Sequence, residues 1–287
     1  MTAGFAATGP VPFRSARART GWTLPGGARL AVWVVPNVEF FPLDRPVPGG
    51  TGAAHDTLAF AVRDYGTRVG FFRVLDALTE AGARGTAAVN ASVVEAYPEL
   101  VAAMREASWD VMGHSWTNAR RLDQLSEQEE REEIARVTDT LGAAFGARPA
   151  GWLGAGLAER STTEARLIEN GYDYVADWAT DDRPDLTRSG LVTVPYTLEV
   201  NDKPAFDQRL LTPEQFADLA IRTFEVLHRE GAQEPRVMAI ALHPYLIGVP
   251  HRIDALRRLL GHIRDHDDVW WTDGATLARH YRKETQR

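Results

Sequence analysis

Leu30-Ala31-Val32-Trp33-Val34-Val35-Pro36-Asn37-Val38-Glu39 decides how the chain folds. Its opening run is continuously β-prone with no polar alternation, the pattern of a strand covered on both faces, as in a parallel sheet. Pro36 is expected to end the strand. If extended geometry persists beyond it, Asn37 and Glu39 point to the same side. Three other segments carry polar groups at the C-terminal tip of an extended run. Trp109–Met112 leads into Gly113-His114-Ser115-Trp116-Thr117-Asn118, Gly151-Trp152-Leu153 runs on to Gly156, and Val237–Leu242 delivers His243. Parallel α/β scaffolds fix backbone directions at such tips and let the following loops vary, so four tips at one mouth form a site.

Helical patterns separate these runs. Val69, Phe72, Leu75 and Leu78 recur at helical spacing before Gly82, and Pro98–Ala107 starts with proline in its first turn. Ser126 and Glu129 form a capping-box pattern ahead of a helix to about Phe145, Ser161 precedes one through Ile168, and Thr212-Pro213 opens one to about Glu230. A helix over about Ile253–Asp265, a strand at Val269–Trp271 and a helix from Asp273 complete the alternation. The segment from Asn37 to about Arg68 reads as a long Pro- and Gly-bearing loop. The β–α rhythm predicts a single-domain distorted (β/α) barrel, TIM-barrel-like, over residues 22–287, preceded by a loosely ordered arm over 1–21.

The 287 residues are enough for one large core. A net charge of −7 argues against a nucleic-acid partner, and the absence of cysteine removes disulfide and thiolate chemistry, leaving any metal to His, carboxylate and amide ligands. No apolar run is long enough to span a bilayer, and the first twenty residues lack the hydrophobic stretch of a secretion signal. The expected setting is cytoplasmic, with a small-molecule substrate, no membrane partner and a homo-oligomeric state.

Candidate catalytic residues are Glu39, His114, His243 and Asp182. The histidines and Asp182 have plainer readings: a lone histidine is more often a core residue satisfied by a carbonyl, and Asp181-Asp182-Arg183-Pro184 is as readily an Asx turn into proline as a carboxylate pair acting on substrate. Candidate substrate-binding residues are Asn37, Arg63, Tyr65, Trp116, Trp152, Asp181 and Tyr245. The arginine and phenol of Arg63-Asp64-Tyr65-Gly66 would reach over a pocket, and Trp116 and Trp152 would wall a planar ring, although surface arginine and packed indoles are the commoner outcomes.

Together, Asn37-Val38-Glu39, His114-Ser115-Trp116-Thr117-Asn118 and Ala241-Leu242-His243-Pro244-Tyr245 resemble motifs of the polysaccharide deacetylase superfamily of carbohydrate esterases and C–N hydrolases, over roughly residues 28–280. With Arg63-Asp64-Tyr65-Gly66 they look more like its branch of allantoinase-type and cyclic-imide hydrolases. The resemblance implies a C–N hydrolase in which His243 is a general acid or the partner of one. The family pattern has two aspartates after the first strand, a base and a metal ligand, where this chain has Asn37 and Glu39. It also has two metal-binding histidines four apart, where this chain has His114 and Asn118. Glu39, His114 and the Asn118 carbonyl oxygen are then the candidate ligands for a divalent metal such as zinc, two strong and one weak, and the expected cofactor is either none or such a metal. The resemblance leaves three functions open: hydrolysis of a small amide, ureide or cyclic imide, deacetylation of an N-acetyl sugar with a weakened metal site, and ligand binding without turnover on the same barrel.

Overall fold

The structure, a computed structural model, describes residues 7–19, 21–46 and 50–285. Among the described residues nine strands build one curled sheet. In chain order they are β1 Leu30–Val38, β2 Thr86–Val89, β3 Asp110–Gly113, β4 Gly151–Trp152, β5 Tyr174–Val175, β6 Asp185–Leu186, β7 Val192–Thr193, β8 Arg236–Leu242 and β9 Val269–Trp271. β1 is buried along its whole length. β8 pairs with it from Leu30 to Pro36, while β9 takes Leu30–Val32 and β2 takes Asn37–Val38. The sheet continues from β2 through β3, β4, β5 and β7 in parallel, and only β6 runs antiparallel, against β7.

No strand pairs β7 with β8 among the described residues. The intervening segment fills the gap: Trp33 donates to the Pro195 carbonyl at 3.0 Å, and Ala241 N–H donates to Val200 O at 3.0 Å. The expected distorted barrel of a single α/β domain is what forms.

Side-chain parity on β1 explains both the core and the site. Leu30, Val32 and Val34 pack outward in the large cluster shared with the helices, whereas Ala31, Trp33 and Val35 fill the barrel interior with Met112, Leu153, Tyr174, Ala239 and Ala241. Successive strand residues point to opposite faces, so the interior parity continues to Asn37 and Glu39. Pro36 does not end β1, since its backbone angle suits an extended chain and the strand pairs on to Val38.

The expected long loop up to Arg68 contains a helix. Thr57–Tyr65 is capped by Asp56, whose carboxylate accepts from Ala59 N–H at 2.9 Å, and it runs through a wider turn at Gly66–Gly70 into the helix Phe71–Glu80. Gly66, read as a loop residue, and Gly70, inside the helical pattern from Val69, are there for close approach. A Cβ on Gly66 would lie 2.5 Å from the Tyr245 Cα, and one on Gly70 would lie 2.1 Å from the Pro244 oxygen.

Ser126 caps the helix Glu127–Phe145 with Glu129 bonding back. Of the predicted arm, residues 1–6 and 20 lie outside the described residues. Its remainder contacts the barrel: Arg14 pairs with Asp185 at 2.5 Å, Arg19 pairs with Asp181, and Arg188 N–H donates to Pro10 O at 2.9 Å. No helix among the described residues is long and apolar enough to cross a membrane.

Candidate active site

Three strands place the central groups. Glu39 follows β1, His114 follows β3 on the interior parity of Met112, and His243 follows β8 on that of Ala239 and Ala241. Ser115 takes a φ of 57°, a left-handed conformation unusual for a side-chain-bearing residue, and so turns the chain sharply after His114.

The Glu39 side chain is 7% exposed and stands between the two imidazoles, with Oε1 3.7 Å from His114 Nε2 and 3.9 Å from His243 Nε2. Its Oε2 is buried without a hydrogen-bond partner, as is His114 Nε2. His114 Nδ1 lies 2.6 Å from the Leu153 carbonyl oxygen, which only accepts, so Nδ1 carries the proton and Nε2 turns its lone pair toward Glu39. Two acceptors facing each other in a buried mouth call for a donor between them, because an unmet polar group there costs about 1–3 kcal/mol.

Asn118 is oriented by its neighbours. Phe40 N–H donates to Asn90 Oδ1 at 2.8 Å, so the Asn90 amide nitrogen faces the other way and donates to the His114 carbonyl and, at 3.3 Å, to Asn118 Oδ1. That leaves the Asn118 amide nitrogen to donate to Glu39 Oε1. The expected carbonyl ligand is therefore a hydrogen-bond donor, because Asn90 claims its oxygen. The donor set does not fit a zinc site: two ligand atoms remain where three or four are needed, and an N–H group occupies the third position. Among the described residues, the His and acid ligand atoms that converge within 4.8 Å of one another belong to Glu225, His262 and His266, away from this mouth.

Asp202 fixes His243. Its carboxylate is fully buried and accepts from the His243 backbone N–H at 2.7 Å and from the imidazole Nδ1 at 2.7 Å. Burial opposes a charged imidazole, but the Asp202 and Glu39 carboxylates outweigh it and raise His243 above the ordinary 6.5. Burial likewise opposes a charged Glu39, yet the charge on His243 and the Asn118 amide hold it below the usual 4.5. An ionised carboxylate and a charged imidazole thus coexist near neutral pH.

Asn37 uses its amide nitrogen on Val35 O, Leu242 O and the Tyr196 hydroxyl at 3.2–3.3 Å. Its oxygen remains for the cavity it lines. The Tyr196 hydroxyl accepts from both Asn37 and Asn201, at 3.2 and 3.3 Å, which leaves its own proton to be given elsewhere. The cavity over these groups measures about 540 Å³, with Arg63, Tyr245, Leu153–Leu157 and the 196–209 segment in its wall. The Arg63 guanidinium sits 4.6 Å from the Phe41 ring centre and 5.3 Å from that of Tyr245.

Of the sequence candidates, Asn37, Glu39, Arg63, His114, Asn118, His243 and Tyr245 share this cavity. Five do not. The Asp182 carbonyl accepts from Val237 N–H at 2.7 Å near the start of β8, whereas His243 follows its end, roughly 20 Å away at strand rise. Asp181 pairs with Arg19 at that same far end. Trp152 has the outward parity of β4, because Leu153 takes the interior side, and it packs edge-on to Tyr172 at 5.6 Å. Trp116 lies under the Arg136 guanidinium, 3.3 Å from its ring centre. Tyr65 is on the new helix, its hydroxyl accepting from Arg73 at 2.6 Å.

Asp202, Tyr196 and Asn90 are the functional positions that sequence reasoning missed. Asn201-Asp202-Lys203-Pro204 reads as a polar loop placed to help close the pocket, with no role for Asp202 itself. Nothing local signals that Asp202 meets an imidazole 41 residues later.

Comparison with known proteins places the fold. The polysaccharide deacetylase family model matches residues 55–175. A Schizosaccharomyces pombe protein that carries the polysaccharide deacetylase name is 31% identical over 239 residues, covering 75% of this chain and 73% of its own. The chain belongs to the polysaccharide deacetylase family. Within this family of hydrolases, a Pseudomonas aeruginosa PAO1 structure described as a probable polysaccharide deacetylase superposes with a TM-score of 0.85 at 26% identity, covering 93% of this chain and 95% of that one. PuuE allantoinase superposes with a TM-score of 0.83 at 25% identity, covering 91% and 92%. A Mycobacterium smegmatis structure at 23% identity and a TM-score of 0.80 repeats the fold.

Proposed function

We propose that this family member hydrolyses a C–N bond in a small amide, ureide or cyclic imide without a catalytic metal. The observation that carries the proposal is the Asn118 amide group turned onto Glu39, which puts a donor where a third metal ligand would be. The similarity to PuuE allantoinase and the bounded cavity, of a size suited to a small molecule, support it.

In this reading a water donates its protons to Glu39 and to the lone pair of His114 Nε2, with its own lone pair facing the cavity. Its oxygen attacks the substrate carbonyl carbon, and one water proton passes to Glu39 or His114. The Tyr196 hydroxyl donates to the carbonyl oxygen as charge develops there. The Asn37 oxygen accepts a substrate N–H, which orients the ring or chain. When the C–N bond breaks, its electron pair goes to nitrogen and the His243 Nε2 proton follows. The products are a carboxylic acid and the freed nitrogen group, an amine from an amide, an amide from a cyclic imide or a urea group from a ureide, and transfer of the water-derived proton to His243 restores the site.

A deacetylase uses the same bond type, and family membership supports that second reading. The two separate in a turnover screen of cyclic imides and ureides against N-acetyl sugars, run in chelator. Turnover of the cyclic substrates in chelator is the expected result. Turnover of acetylated sugars alone, dependent on added zinc, would overturn the proposal.

A further inference from the structure

Away from the mouth, helices Pro213–Gly231 and Ile253–Arg264 carry a group of side chains that the proposed hydrolysis does not use. Glu225 comes from the first helix. His262 comes from the last turn of the second, and His266 follows just past its end, one helical turn further on. Each offers a ligand atom within 4.8 Å of the other two. We infer that Glu225, His262 and His266 form a surface site for a divalent zinc ion that clasps these two helices together.

Three features support the assignment. The first is tautomer control: His266 Nδ1 lies 3.0 Å from the His262 carbonyl oxygen, which only accepts, so Nδ1 holds the proton and Nε2 keeps its lone pair. A backbone carbonyl on the second nitrogen is the usual orienting partner of a metal-binding histidine. The second is the facing pair: His262 Nε2 sits 2.7 Å from Glu225 Oε1, so loss of one proton leaves two ligand atoms side by side for the ion.

The third is a rigid floor. Phe224 is fully buried, and its ring centre lies 5.4 Å from His262 and 4.8 Å from His266, which limits how far either imidazole can swing. His228 stands 5.1 Å from the His266 ring, but its Nε2 is engaged by Asp268 at 2.7 Å, so it supports the cluster from the side. Two imidazoles and one carboxylate are a zinc set with the fourth position open to water.

This site is independent of the barrel mouth, and zinc in the purified protein would report the helices rather than the chemistry. The test is a zinc titration of the chelator-stripped and dialysed full chain at neutral pH, with a chromophoric zinc indicator as competitor. One zinc per chain is expected. His266→Ala and Glu225→Ala should each weaken binding at least about 30-fold, with melting temperatures close to the parent in chelator and unchanged turnover. Glu39→Gln should bind zinc as tightly as the parent. Zinc should also raise the melting temperature of the parent, and not that of a His262→Ala/His266→Ala variant, because a ligand that binds only the folded state stabilises it. Failure of the parent to bind zinc at about 100 μM, or undiminished binding by the double variant, would overturn the site. So would loss of binding in Glu39→Gln, which would move the ion to the mouth.

Discussion

The two ends of the barrel treat charge differently. At the end where β8 begins, Glu234 pairs with both Arg183 and Arg236, and Arg19 pairs with Asp181, so the charged groups close on one another. At the other end Glu39 Oε2 and His114 Nε2 are buried with no protein partner, and His243 points its Nε2 at the same carboxylate from 3.9 Å. Unsatisfied polar atoms destabilise a fold, so a carboxylate oxygen and an imidazole nitrogen left unmet beside each other are intelligible when something else, a substrate or a water, is to meet them. Carboxylates alone do not distinguish the ends; their partners do.

The largest effect should come from Glu39→Gln, which removes the acceptor that draws both imidazoles together. kcat should fall by about 10²–10⁴-fold, and the melting temperature at neutral pH should fall modestly, because a carboxylate held below its usual pKa in the fold contributes stability when ionised. Steady-state kinetics with a thermal melt checks both.

Next is Asp202→Asn. The Asp202 charge raises His243, so its removal should lower the imidazole pKa. The protonated form is the active one, hence the alkaline limb of the kcat/KM profile should move to lower pH, with kcat reduced about tenfold or more at pH 8. A purely structural Asp202 would lower stability without moving that limb.

A smaller effect on stability, not turnover, is expected from Asp110→Asn, which sits among the closed ends of β2 and β3. Burial and the neighbouring Asp273 push Asp110 up to about 6. A carboxyl raised in the folded state favours folding when protonated, and that contribution falls as pH climbs from its unfolded value through about 6. Asp110→Asn, which keeps an oxygen to accept from Ala275 N–H, should therefore melt higher than the parent at pH 8, by about 1–3 kcal/mol of stability, and match it at pH 3. The smallest effect belongs to Asp182→Asn, which should leave kcat and KM unchanged. A large loss there would erase the distinction between the two ends.

The parallel barrel was legible because Leu30–Val35 and Val237–Leu242 are unbroken apolar runs, and runs covered on both faces have few other homes. The strand tips were legible for the same reason. His114 and His243 needed only the strand before them to be placed. Asp181-Asp182 misled because a sequence does not mark which end of the sheet a loop occupies once the strands shorten to two residues, as β5, β6 and β7 do. Trp152 misled by one step of parity, which flips a side chain from the mouth to the outer layer. Gly66 looked like a loop residue and Gly70 like an ordinary helix position, since a sequence cannot show that Tyr245 and Pro244 press against them. The orientation of Asn118 was beyond reach altogether, because it depends on Asn90 from another strand, oriented in turn by Phe40.

The central claim is that Glu39 and His114 activate water with no ion, because Asn118 donates where a ligand would coordinate. The most direct measurement is single-substrate turnover by the full chain after exhaustive chelation, with the metal content of the same sample confirmed by elemental analysis. Activity retained within about twofold of the untreated protein, with less than about a tenth of an equivalent of metal left, is the expected result. Loss of activity with the metal, and its return on adding zinc to a His262→Ala/His266→Ala variant that cannot bind the ion between the helices, would contradict it.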